Sequence, residues 1–146
     1  MEKNTEKDKL DITNLKNAVL ALEKCISTYN EFAGKSENLK ESLRSAVIKN
    51  FEVAYEVCWK FMKRWMEINV DSNIIEKITR KEFYRLTAEH GLISNLNEWW
   101  DFHESRNKTA HLYSEVTAEE VFGTALVFLP IAQNFIKKYE ERSNKC

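Results

Sequence analysis

The sequence predicts an all-α fold, an antiparallel bundle of four or five helices in up-and-down order. Three observations carry that reading. Only 3 glycines and 1 proline punctuate the 146 residues, too few for many strands and tight turns. Apolar residues recur in alternating steps of three and four along long windows, which is the helical period. The glycines and capping residues fall mostly between those windows. The length suits one domain that buries a core without staples. Residues 1–10 are charged and read as a flexible tail, and 11–143 as the single helical domain.

The first helix begins near Ile12. Its stripe runs Ile12, Leu15, Val19, Leu22, Ile26, Tyr29 and Ala33, with Gly34 as the stop and Ser36 as the next cap. The second and longest helix spans about 37–69. Val47, Phe51, Ala54, Cys58, Phe61, Trp65 and Ile68 form its stripe, widened by Ile48, Tyr55 and Met62. Residues 69–79 read as a connector with one helical turn. Thr79 caps a third helix, about 80–89, closed by Gly91. A fourth helix starts near Asn95 or Asn97 and runs through Trp99, Trp100 and Phe102 toward Tyr113. Thr117-Ala-Glu-Glu120 has capping-box spacing and opens the last helix, in which Pro130 removes one backbone donor and predicts a kink.

Composition narrows the function classes. With 22 basic and 23 acidic side chains the net charge is −1, which argues against holding nucleic acid by bulk electrostatics and leaves room for a local basic groove. Cys25, Cys58 and Cys146 stand far apart, without a Cys-x-x-Cys pair, as reduced cysteines of a cytoplasmic protein do. The charged start is no signal peptide, and no window is apolar enough for a membrane span. No metal site is expected, because the acidic pairs lack histidines at ligand spacing. Without a glycine-rich phosphate loop, no nucleotide cofactor is expected either.

The chemistry concentrates in Ser105-Arg-Asn-Lys-Thr-Ala-His-Leu-Tyr-Ser114. His111 is the side-chain type that gives or takes a proton near neutral pH. Arg106 offers a planar cationic fork that suits phosphate oxygens. Together they can cleave RNA without a metal, the histidine as general acid or base, the arginine on the scissile phosphate. On a regular helix the five-residue step rotates by roughly 500°, so the two would not share a face, whereas Arg106 and Tyr113 nearly would. A cleft with two walls, such as a dimer seam, could gather both. The same Arg–His spacing recurs at Arg85 and His90, where His90 reads as a helix C-terminal residue suited to the dipole.

Arg106-Asn-Lys-Thr-Ala-His111-Leu-Tyr113 resembles the R-x-x-x-x-H-x-Y signature of HEPN domains. More closely the chain resembles the HepT branch, nucleotidyltransferase substrate-binding proteins. Asn50–Lys60, Glu98-Trp-Trp-Asp101 and Thr117–Glu120 join the likeness, which covers about 12–140. The resemblance implies a helical homodimer with the motif in the dimer cleft, acting as a metal-independent ribonuclease on RNA such as tRNA. It implies a toxin–antitoxin pair with an MNT-type minimal nucleotidyltransferase that silences the toxin by AMP transfer. Carried over, Arg106 and His111 are catalytic, Asn107 is a supporting polar group, and Tyr113 is the modified residue. The rival reading is a non-catalytic substrate-binding subunit of a two-component nucleotidyltransferase.

Neighbouring residues have plainer readings. His103 is expected to be a half-buried structural histidine. Trp99 and Trp100 could stack bases but fit better as core or dimer contacts. Lys137, Lys138, Glu140, Glu141 and Arg142 read as a solvated helix end.

Overall fold

The computed structural model describes the backbone of residues 2–143 and the side chains from Ile12 onward. It is an antiparallel helical bundle. The long helices are α1 (Glu2–Phe32), α2 (Glu37–Met66) and α6 (Glu115–Ser143), with α4 (Arg80–Glu89) and α5 (Leu96–Lys108) packed across them and a short α3 (Ser72–Lys77) between. The expected tail at 1–10 falls largely on residues whose side chains lie outside those described, although the backbone continues α1 as helix from Glu2.

Capping chemistry sets most boundaries. Ser36 Oγ accepts from Leu39 N at 3.1 Å, Thr79 Oγ1 from Glu82 N at 3.2 Å, and Asn95 Oδ1 from Asn97 N at 2.8 Å. Gly91 sits at φ 78°, which closes α4 as expected. Two boundaries differ from the expectation. The last helix begins at Glu115, before the Thr117 box. Ser114 opens it, with Oγ 3.4 Å from Thr117 N and its carbonyl accepting from Ala118 N. The second helix ends at Met66, and a single π-turn over Glu67–Asp71 swings Ile68 out to 52% exposure. Pro130 lies inside α6, which continues past it as one helix.

The core follows the stripes. Leu15, Val19, Leu22, Val47, Phe51, Ala54, Cys58, Val121, Ala125, Phe128 and Ala132 are buried together. Trp99 is at its centre, 1% exposed, with ring contacts to Tyr84, Phe102, Phe128 and Phe135 at 5.3–6.3 Å. α2 packs on α1, α5 and α6. It therefore forms the floor beneath the end of α5, where the motif lies.

Candidate functional site

The motif occupies the last turn of α5 and the chain just after it. Ser105, buried, donates to Thr124 Oγ1 of α6 at 3.0 Å and pins this turn to the bundle. The α-helix stops at Lys108. Thr109 N–H bonds back to the carbonyls of Arg106 and Asn107, and a 3₁₀ turn carries Thr109–His111. Leu112 packs against the core, which leaves Tyr113 outside at 90% exposure. The backbone thus departs from regular α-helix before His111, so the angular argument for a continuous helix does not apply. His111 is exposed and meets the Tyr113 ring edge-on, centroids 6.1 Å apart.

Arg106 is half-buried and faces α2. Its Nε donates to Glu56 Oε1 at 2.9 Å, and Nη1 lies 3.5 Å from Thr109 Oγ1. The Thr109 hydroxyl lies 2.7 Å from Glu52 Oε2 and 2.6 Å from the Arg106 carbonyl, and its one proton serves one acceptor at a time. That hydrogen bond, helped by Lys49 and the Arg106 charge, holds the Glu52 carboxyl below the usual carboxylate range. No hydrogen bond joins Arg106 to His111. The structure therefore anchors the arginine from α2 and leaves the histidine and tyrosine on an exposed turn.

Asn107 points to a second network. Its Nδ2 lies 3.4 Å from His103 Nε2. His103 Nδ1 lies 3.2 Å from the Tyr55 hydroxyl and 3.3 Å from Arg80 Nη1, and Arg80 also donates to Tyr55 at 3.0 Å. The Tyr55 hydroxyl continues to that of Tyr84. Because Arg80 is a permanent donor, His103 Nδ1 accepts and Nε2 carries the proton in the neutral ring, a proton that only the oxygen of the Asn107 amide, turned over, can accept. Burial, and next the Arg80 charge, push the His103 pKa below its ordinary value, with Glu56 and Glu104 opposing. Burial raises the Tyr55 phenol pKa, so both groups are neutral near pH 7.

Sequence reasoning missed Glu52, Glu56 and Arg80 as members of this site. A signal was present for the acids. They stand one helical turn apart in Asn50–Lys60, beside the widened apolar face of α2. The expectations for Trp99 and His103 hold: Trp99 is core and His103 is half-buried with partners. The second Arg–His copy is structural. Arg85 pairs with Glu82 and Glu89, and His90 caps α4. The expected solvated end is partly engaged, since Lys138 bonds Ser94 and Glu140 pairs with Lys16.

The fold and the motif turn define a class: an all-helical domain that presents an arginine, a histidine and a tyrosine where one helix ends on the flank of a bundle. The chain belongs to the family described as nucleotidyltransferase substrate binding protein like, which matches residues 10–141. It is 29% identical over 142 residues to a Haemophilus influenzae protein named probable ribonuclease HepT, covering 93% of this chain and 96% of that one. It also superposes with TM-score 0.82, at 24% identity, on a solved Haemophilus influenzae structure described as the fold of a substrate binding domain of a nucleotidyltransferase. That match covers 88% of this chain and 98% of the other. The resemblance to the HepT branch is borne out. Among the described residues no helix is long and apolar enough to cross a membrane, and no cluster of three or more His, Cys, Asp or Glu side chains could hold a metal ion.

Proposed function

We propose that the chain is a metal-independent endoribonuclease of the HepT type, the toxin of a toxin–antitoxin pair in the cytoplasm. One observation carries this: the turn after α5 exposes His111 and Tyr113 while Arg106, one turn back, is held by Glu56. In this reading His111 takes the proton of an RNA 2′-hydroxyl as that oxygen attacks the adjacent phosphorus. The 5′-oxygen of the next nucleotide leaves and takes a proton from a general acid, a role the second protomer's histidine fills in a homodimer. Arg106 steadies the phosphorane charge through Nη2, which has no partner among the described residues. Asn107 supports the substrate's polar edge. Tyr113 is the group to which a minimal nucleotidyltransferase transfers AMP. The added phosphate brings like charge and bulk to the place where RNA binds.

Purified protein incubated with tRNA or total RNA in EDTA tests the enzyme claim, beside an Arg106→Ala, His111→Ala protein. Cleavage by the parent alone supports it. Cleavage that is absent, or equal in both, refutes it.

A second reading has its own observation. The Arg106 charge is already engaged by Glu56, with Glu52 one turn along, so the motif floor is acidic. That favours a non-catalytic subunit that presents substrate to a nucleotidyltransferase. Coexpression separates the two: toxicity relieved by the partner supports the toxin, and a stable complex without toxicity supports the subunit.

A further inference from the structure

We propose that a cationic, aromatic patch on α2, α4 and α5 is the track along which single-stranded RNA approaches the motif turn. The choice of RNA as occupant rests on the ribonuclease reading. The patch itself rests on three observations of its own.

First, its cations lack acids. Arg44, Arg85, Arg106 and Lys108 each have a carboxylate within 4.0 Å. Lys63, Arg80 and Lys81 have no such partner among the described residues. Arg80 is half-buried, and its guanidinium contacts only neutral groups, Tyr55, Tyr84 and His103. A guanidinium in that position normally finds an anion from its own chain. Here no carboxylate of the described residues pairs with it.

Second, the cations lie on aromatic faces. The Arg80 guanidinium stacks 3.9 Å from the Trp59 ring centre, Lys63 lies 5.3 Å from the same ring, and Lys81 lies 5.3 Å from Trp100. Trp59, Lys63, Thr79 and Arg80 line a cavity of about 190 Å³, in which Glu76 is the one carboxylate. The buried Trp59 Nε1 has no hydrogen-bond partner, a donor that a ligand oxygen could satisfy after a small shift.

Third, the patch leads into the site. Trp100 lies 5.2 Å from the His103 ring, and His103 contacts Asn107, the residue after Arg106. Stacking faces beside unpaired cations suit a strand that alternates bases and phosphates. A protein partner would have to bring its own row of acids to the same place. The near-zero net charge of the chain conceals this local excess.

The test uses full-length His111→Ala protein, which binds RNA without cutting it, and a labelled single-stranded RNA of mixed sequence. Binding is read by fluorescence anisotropy at several salt concentrations. Arg80→Gln and Trp100→Ala each weaken binding at least about fivefold. Arg80→Gln and Lys81→Gln each lower the salt slope by about 0.7, the share of one phosphate on a single strand. Lys24→Gln, exposed on α1, changes neither. Should Arg80→Gln misfold by circular dichroism, the solvent-facing Lys81→Gln and the half-exposed Trp100→Ala decide. Unchanged affinity in those two overturns the proposal, and so does a parent that binds no RNA. Variants that keep RNA but lose the nucleotidyltransferase partner make the patch a protein interface, which also overturns it. A parent that binds RNA here yet never cuts it defeats the ribonuclease reading and leaves the track standing.

Discussion

Glu56 Oε1 on α2 lies 2.9 Å from Arg106 Nε on α5, so the motif arginine is aimed by a helix 50 residues earlier in the chain. Both side chains are about one-third exposed, and the pair therefore acts on orientation more than on stability. Glu56→Gln is expected to lower RNA cleavage about tenfold while changing unfolding stability by less than about 1 kcal/mol. Initial rates and urea melts on the same protein check both halves.

His111 and Tyr113 stand in solvent, so their removal separates chemistry from folding. His111→Ala is expected to cost about 10²–10⁴ in cleavage rate with no change in melting temperature. Tyr113→Phe is expected to keep cleavage and to lose the mass gain of one AMP group when incubated with the partner and ATP. Intact-mass spectrometry reads the latter.

His103 gives a pH dependence with a defined sign. Its folded pKa is depressed, so the unfolded chain binds the proton more readily. The stabilising contribution is complete above the ordinary histidine value of about 6.5 and is lost as pH falls from there toward the folded pKa. Urea melts from about pH 7.5 to 5 are expected to show this loss, and His103→Gln to flatten it. Titration of the His103 ring signals by NMR should place its midpoint below that of a free histidine.

Arg44 is buried on α2 and bonds Glu115 at 2.6 Å and also Glu119, at the start of α6. Arg44→Met leaves those two carboxylates largely in solvent, and the expected loss is about 1–3 kcal/mol. The hydrogen bond from Arg44 also holds the Glu115 pKa below its usual value. That part of the stability is present above the ordinary carboxylate range and is lost as pH falls through the folded pKa. Thermal melts of both proteins from neutral to acid pH should therefore converge.

Gly91 closes α4 in the left-handed region, and a Cβ there would press on the Arg142 guanidinium. Gly91→Ala is expected to destabilise by about 1–2 kcal/mol from the backbone alone. Denaturant unfolding measures it.

The bundle was legible because its apolar stripes are regular. Leu15, Val19, Leu22 and Ile26, and then Val47, Phe51, Ala54 and Cys58, are all buried where the period of three and four puts them. Ser36, Thr79, Asn95 and Gly91 announced their ends by local chemistry. Thr117 misled because a capping box is a pattern of two residues, and Ser114 offered a competing cap three positions earlier. At the site, Arg106, His111 and Tyr113 could be read from one short string. Glu56 and Arg80 could not, since each meets α5 from more than 20 residues away; the one-turn spacing of Glu52 and Glu56 marks a pair of acids on α2 but not what they face. The Thr109 hydroxyl's contact with Glu52 was equally hidden, because it depends on where α2 lies.

The Arg44 clasp has a bearing on how the chain reaches this shape. It joins residues 71 and 75 positions apart, whereas α1 and α2 meet across a three-residue 3₁₀ turn. The first hairpin is a local encounter with little loop entropy to overcome, and it can assemble while later segments are still being synthesised. During that interval Glu115 and Glu119, its partners in the finished bundle, are not yet there. Closure must wait until the ribosome has released the start of α6, which makes the final helix the element that locks the nascent bundle.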